Sequence, residues 1–205
     1  MAREQARQQQ AVKTRRGGRN AVRARVLEAV LELVAEHGLN GVRYDQIAER
    51  AGVHRASVYR NWPSVDELVY DAVAGYAEQM NPIADTGDIR ADLVEVLLSL
   101  EATLNSPMGQ VIMRAMHRPG PDFPRVQTFT DQVVTRRLVI LRDRLDKATQ
   151  LGQLPVVDAR SLNELLSGAV HYRLASGRKE PFTRRDAEWI VDVVLGGVRS
   201  AERPD

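Results

Sequence analysis

The sequence predicts an all-α protein of about nine helices: an N-terminal three-helix domain containing a helix-turn-helix, then a C-terminal helical bundle. Three observations carry this. Apolar residues recur at three- and four-residue spacing along most of the chain, the period that lines one side of a helix. Glycine or proline stands where those segments end, as at Gly38, Gly52, Pro63, Pro82 and Gly152, because glycine closes a helix in the left-handed conformation and proline cannot extend one. Residues 44–64 join two short helical segments across Gly52, the size and punctuation of a helix-turn-helix.

Residues 1–19 carry Arg3, Arg7, Lys13, Arg15, Arg16 and Arg19 against one acid, Glu4, and end near Gly17-Gly18. This reads as a disordered basic arm, either a solvated tail or a segment that follows a phosphate backbone. A first helix is expected over 20–37, with Asn20 as N-cap, a stripe of Val22, Val26, Ala29, Val30 and Leu33, and Gly38 as terminator. Arg23 and Arg25 extend the basic surface into its first turns. In the second helix Ile47, Ala48 and Ala51 face inward; in the third, from about Arg55 to Trp62, Val58 and Trp62 do. Ala56, Ser57, Tyr59 and Arg60 point the other way. That is an open surface of small residues, hydroxyls and a guanidinium, able to meet base edges and phosphates. The plain alternative is a helical hairpin in an all-α core.

Ser64 with Glu67 three residues on forms a capping-box pattern, opening a helix to about Met80. Asn81-Pro82 ends it and marks a domain boundary, so the division read is 1–19, 20–81 and 82–205. Beyond lie helices over 88–105 (Leu93, Val96, Leu97, Leu100, Leu104), from Pro107 to about Met116, and over 125–150; a Pro-rich loop at 117–124 separates the last two. Two final helices, about 158–176 and 183–201, carry Gly168, Gly196 and Gly197 among apolar residues. Glycine inside a helix costs ~1 kcal/mol against alanine, and close helix approach can offset it. This predicts a four-helix dimer interface through Leu165, Gly168, Tyr172, Trp189, Val193 and Gly197. The alternative is that the pair packs only on its own core.

The totals narrow the function. At 205 residues, 43% hydrophobic and 27% charged, the chain can bury a core. It has no cysteine, which removes disulfides, thiolate nucleophiles and cysteine zinc sites and fits a cytoplasmic setting. No apolar run approaches the ~20 residues of a membrane span, and no secretory signal is expected. The four histidines, at 37, 54, 117 and 171, lack ligand spacing, so no metal is expected; no zinc-protease, phosphate-loop or nucleophile-elbow motif occurs, so no catalytic residue or cofactor is assigned. Net charge is only +2, so affinity for nucleic acid depends on where the charge sits.

Residues Ile47-Ala48-Glu49-Arg50-Ala51-Gly52-Val53 and Ser57-Val58-Tyr59-Arg60-Asn61-Trp62-Pro63-Ser64 resemble the TetR/AcrR family of bacterial transcriptional regulators, over about residues 26–70. The resemblance implies a homodimer binding a double-stranded DNA operator, with a small-molecule effector in the C-terminal domain that releases it. By position, Arg55, Ala56 and Ser57 take base-reading places. Tyr59 and Asn61 take phosphate-contact places, while Arg60 matches no usual contact. Arg43 stands where the family has a capping Ser or Thr, Val65 where a Lys contacts the backbone, and His54 where a small polar residue opens the recognition helix. Arg15, Arg16 and Arg19 are the arm's candidate contacts. Met113, Met116, His117, Phe123, Phe129, Val133, His171 and Tyr172 are candidate pocket residues, with core packing as the alternative. A helical protein binding DNA or a partner without an effector is the competing function, and a helical-bundle enzyme a more distant one.

Overall fold

The structure, a computed structural model, describes the backbone of residues 2–39, 41–117 and 123–200, and their side chains outside 2–19, 115–117, 123–126 and 129. The described residues form nine helices and no strand: α1 (Ala2–His37), α2 (Tyr44–Ala51), α3 (Arg55–Asn61), α4 (Val65–Met80), α5 (Ile89–Asn105), α6 (Pro107–His117), α7 (Phe123–Gln150), α8 (Ala159–Ala175) and α9 (Arg184–Ser200). The first helix differs from expectation. It begins at Ala2, so the segment read as a disordered arm continues α1, and Asn20 lies inside a helix rather than at its cap. The physical reason is composition: residues 2–16 are mostly Ala, Arg, Gln, Glu and Lys, with no proline to stop the helix.

Caps set the other boundaries. Gly38 at φ 77° closes α1, its N–H donating to the Val34 carbonyl at 2.8 Å. Ser64 Oγ accepts from the Asp66 N–H at 3.1 Å to open α4, without a returning bond from Glu67. Asp88 accepts from the N–H groups of Arg90 and Ala91 at 2.9 and 3.2 Å and starts α5.

Two apolar cores result. The first gathers Val26, Val30 and Leu33 of α1, Ile47 of α2, Val58 of α3 and Leu68 and Val69 of α4. Met108 and Val111 of α6 are buried in it too, although they lie beyond the boundary read at residue 81. The second joins α5 (Leu93, Leu97), α7 (Leu141, Leu145), α8 (Leu162, Leu166) and α9 (Val191, Leu195). One ion pair is buried there. Arg144 Nε donates to Asp92 Oδ2 at 2.7 Å, and Asp92 also accepts from Thr86 Oγ1 at 2.6 Å, tying the α4–α5 loop to α7. On the surface, Arg90 forks onto Asp192 at 2.6 and 2.8 Å and links α5 to α9.

Candidate nucleic-acid interface and internal cavity

The turn between α2 and α3 follows from Gly52. It takes φ 63°, ψ 44°, a left-handed conformation available to glycine without strain, and the following Val53 N–H donates to Ala48 O at 3.0 Å. Val58 and Trp62 then seat α3 inward. A polar clamp fixes its far end. Trp62 Nε1 donates to Asp71 Oδ2 at 2.8 Å; Arg23 pairs with the same oxygen at 2.8 Å, and its guanidinium lies 5.2 Å from the Trp62 ring. Tyr44 Oη donates to the Trp62 carbonyl at 2.6 Å. Burial pushes the Tyr44 hydroxyl above its usual range, with Tyr59 and Glu67 adding to this and Arg55 opposing, so it remains a donor. Arg23 was expected in the basic surface; the structure commits it to Asp71 and Trp62. Only its distant partners reveal this, since Asp71 is 48 residues away.

What α3 leaves open is a compact surface. Arg55, Ala56, Tyr59, Arg60 and Asn61 are exposed and Ser57 is half-buried. Tyr59, 58% exposed, is braced edge-on by Tyr44 with ring centroids 5.8 Å apart. Arg60 folds back along the helix, its Nε donating to Ala56 O at 3.2 Å and Nη2 to Ser57 Oγ at 3.3 Å. Asn61 Nδ2 donates to Ser57 O at 2.7 Å. Arg43 is exposed at the N-cap of α2 and makes no capping bond, so a carbonyl or hydroxyl acceptor is missing there as its chemistry dictates. Arg50 is spent on Glu36 and Glu32 of α1, which it holds at 2.8 and 3.3 Å; this guanidinium keeps the Glu36 carboxyl below its usual range. Arg15, Arg16 and Arg19 have side chains outside the described residues.

A cavity of about 180 Å³ lies between α4, α5, α7 and α8, with Gly109 and Ile112 of α6 at its edge. Leu93, Val96, Leu97, Leu100 and Leu104 give it an apolar wall, which is why Val96 and Leu100 are only partly buried by protein. Its polar groups come from four helices and the α4 terminus. Tyr76 Oη donates to Ser106 Oγ at 3.1 Å, Arg137 Nη1 donates to Asn81 O at 2.6 Å, and His171 Nδ1 lies 2.8 Å from Ser167 O. A carbonyl only accepts, so His171 Nδ1 carries the proton and Nε2 is left as an acceptor in the neutral ring.

Of the candidate pocket residues, Val133 and His171 line this cavity. Met113 lines a separate cleft with Leu104, Gln110 and Leu174. Tyr172 does not face the cavity: it is 77% exposed, since α8 turns His171 and Tyr172 about 100° apart and its inward face belongs to Leu166 and Val170. Met116, His117, Phe123 and Phe129 have side chains outside the described residues. Tyr76, Asn81, Asn163 and Arg137 were not foreseen; Tyr76 reads as one more apolar position of α4, and Arg137 as one of the many charges of α7. No group of His, Asp and Glu able to hold a metal occurs among the described residues.

On α8 and α9, Leu165, Tyr172, Trp189 and Val193 are exposed, Trp189 at 67%. A Cβ placed on Gly168, Gly196 or Gly197 would meet nothing within 4 Å. Within this chain, therefore, no close helix approach accounts for these glycines.

Residues 26–72 match the family model of bacterial regulatory proteins of the tetR family, and residues 83–194 the model of the tetracyclin repressor-like C-terminal domain. The HTH-type transcriptional regulator AqdR of Rhodococcus erythropolis is 29% identical over 150 residues, 73% of this chain and 72% of that one. An HTH-type transcriptional regulator of Mycobacterium tuberculosis is 30% identical over 142 residues, 67% of this chain and 72% of the relative. Among solved structures, the TetR family transcription regulator SCO0332 superposes with a TM-score of 0.68 at 32% identity, covering 86% of this chain and 98% of its own.

Proposed function

The chain belongs to the TetR family of bacterial transcriptional regulators, and on that premise we propose that it is a homodimeric repressor whose α3 reads an operator half-site and whose cavity holds the effector that releases it. It is a sequence-specific, helix-turn-helix DNA-binding regulator, as its relatives are. One observation carries the assignment of contacts: α3 has no acidic residue, and it is clamped so that Arg55, Ala56 and Tyr59 stand open to solvent. Arg55, Ala56 and Ser57 then meet base edges, Tyr59, Asn61 and Arg43 meet phosphate, and Arg15, Arg16 and Arg19 add backbone contacts along the extended α1.

The division of labour follows 1–19, 20–81 and 82–205, with α4 and α6 shared. α4 gives Leu68 and Val69 to the first core and Val73, Tyr76 and Ala77 to the cavity. α6 gives Met108 and Val111 to the core, and Gly109 and Ile112 to the cavity edge. A ligand that displaces Tyr76 from Ser106 acts on both helices at once, and so on the orientation of the DNA-reading head. The cavity favours this reading over a DNA-binding protein without an effector. Leu165, Gly168, Tyr172, Trp189, Val193 and Gly197 supply the dimer face: four apolar side chains are exposed, and the glycines lie open for a second copy to approach. No helix among the described residues is long and apolar enough to cross a membrane, and we place the regulator in the cytoplasm. The reading assigns no catalytic group and no cofactor.

The test is a gel shift on the DNA upstream of the protein's own gene, run across salt concentrations. Tyr59→Phe weakens binding to every sequence alike, whereas Arg55→Ala relaxes base preference at one position per half-site, worth ~1–3 kcal/mol of discrimination. Binding no tighter than to random DNA would sink the operator assignment. An unchanged base preference removes Arg55 from the readout.

A further inference from the structure

Arg137 is the one permanently charged residue among the described residues that line the cavity. Its position is unusual for an arginine. It is half-buried, it donates to a neutral group, the Asn81 carbonyl, at 2.6 Å, and no carboxylate pairs with it among the described residues. Turning the Asn81 amide, which its surroundings favour, adds a second neutral partner, Asn81 Oδ1 at 3.3 Å from Nη2. The neighbouring acid, Glu78, is held by Arg136 instead. The contrast with Arg144 is instructive: that guanidinium is buried against Asp92, whereas Arg137 opens onto a void. Burial holds its pKa below the usual arginine range, opposed by the field of Glu78. A guanidinium withdrawn from water without an anion is unfavourable, and a carboxylate can engage its N–H groups in a fork.

Apart from Arg137 the walls are mostly aliphatic, with no acid among the described lining residues. That excludes cations and favours one negative group on an apolar body. The cavity measures about 180 Å³, room for a compact body, since ~150 Å³ is enough for a benzene ring. We propose that the effector is a small monocarboxylate with an aryl or short alkyl body, its carboxylate paired with Arg137 and its body against Leu93, Leu97 and Leu100. This rests on the effector-responsive reading above and names the chemistry of that site.

The experiment is calorimetric titration of the full-length protein with 3-phenylpropionate and octanoate, each beside its neutral amide. The expected result is at least tenfold tighter binding of an acid than of its amide, with the difference erased in Arg137→Gln and partly kept in Arg137→Lys. Thermal melts of both variants identify loss of folding, and Arg137→Lys supplies the comparison if Arg137→Gln is unfolded. Equal affinity for acid and amide, tighter binding of the amides, no binding of either acid, or an acid preference that survives Arg137→Gln overturns the proposal. The gel shift without ligand separates this from the reading beneath it. Operator binding with no preference for acids removes the carboxylate alone, whereas absence of operator binding removes the regulator's proposed contacts. Release of operator DNA by the acids and not by the amides supports both.

Discussion

The core built on α1–α4 and the core built on α5, α7, α8 and α9 use the same kind of helix but close differently. The first is filled with aliphatic side chains such as Val30, Val34, Ile47 and Leu68, none more than 2% exposed. At its edge a polar clamp joins Trp62 Nε1 and Arg23 to Asp71 and Tyr44 Oη to the Trp62 carbonyl. The second contains a buried ion pair, a void of about 180 Å³ and an arginine facing it. Helices of 8 and 7 residues, as α2 and α3 are, have little stability of their own. They hold a fixed reading surface only if packing and a clamp hold them. Helices of 17 and 28 residues, as α5 and α7 are, keep their own hydrogen-bond ladders and can stand apart around a space. A core that leaves such a space between its helices forgoes packing contacts, at ~24 cal/mol per Å³ left unfilled. Part of the lost stability is recoverable by a ligand that fills it.

This difference can be broken or sharpened by substitution. The largest effect belongs to Trp62→Ala, which removes a buried ring and the Asp71 clamp and should cost about 4 kcal/mol in denaturant unfolding, with operator binding falling alongside. Full retention of stability would mean that the clamp does not hold α3. In the second core, Arg144→Met leaves Asp92 buried without its cation and should cost ~3 kcal/mol. Adding Asp92→Leu should recover much of this, and failure to recover would show that the pair does more than neutralise itself. The sharpest contrast is one added methylene in each core. Val30→Leu overfills the first core and should cost ~1–3 kcal/mol, while Val134→Leu grows into the cavity and should leave the melting temperature within a degree or two, at about 2–4 °C per kcal/mol for a chain of this length. Equal losses would erase the distinction between the cores.

The smallest effect is acidic. Lys147 holds the Asp85 carboxyl below its ordinary 3.8, and Arg90 does the same for Asp192. A carboxyl whose folded pKa lies below its unfolded value stabilises the fold fully above the unfolded value and stops doing so as pH falls through the lowered one. Both groups sit on the second core's surface, so melting between pH 5 and pH 2 should loosen α9 and the α4–α5 loop before α1–α3. Glu36, held low by Arg50, gives the first core a lesser share. Hydrogen exchange along the titration measures the order, and simultaneous loss of both regions would count against it.

Most of the helices were legible because apolar spacing and helix punctuation are local. Val58 and Trp62 face inward as their angles on the helix demand, and Gly52 turns the chain where only a left-handed residue fits comfortably. The start of α1 is not marked by Gly17 and Gly18, because the helix-forming residues before them carry the helix back to Ala2. The pocket was harder. Val133 and His171 line the cavity, but Tyr172 points away and nothing in the sequence singles out Arg137, because a mostly polar helix such as α7 does not reveal which of its charges lies beside a gap in another helix's packing.

What the sequence determined by itself was the helices, their apolar faces, and the small, hydroxyl and guanidinium groups carried by the recognition helix. Those follow from the residue's own period and its near neighbours. Only the tertiary structure decided which arginines are spent and which are free. Arg23 meets an acid 48 residues away and Arg144 one 52 residues away, while Arg137 meets a carbonyl 56 residues away and no acid among the described residues. Charge pairing depends on distance in space, and over such separations only the packed cores fix that distance.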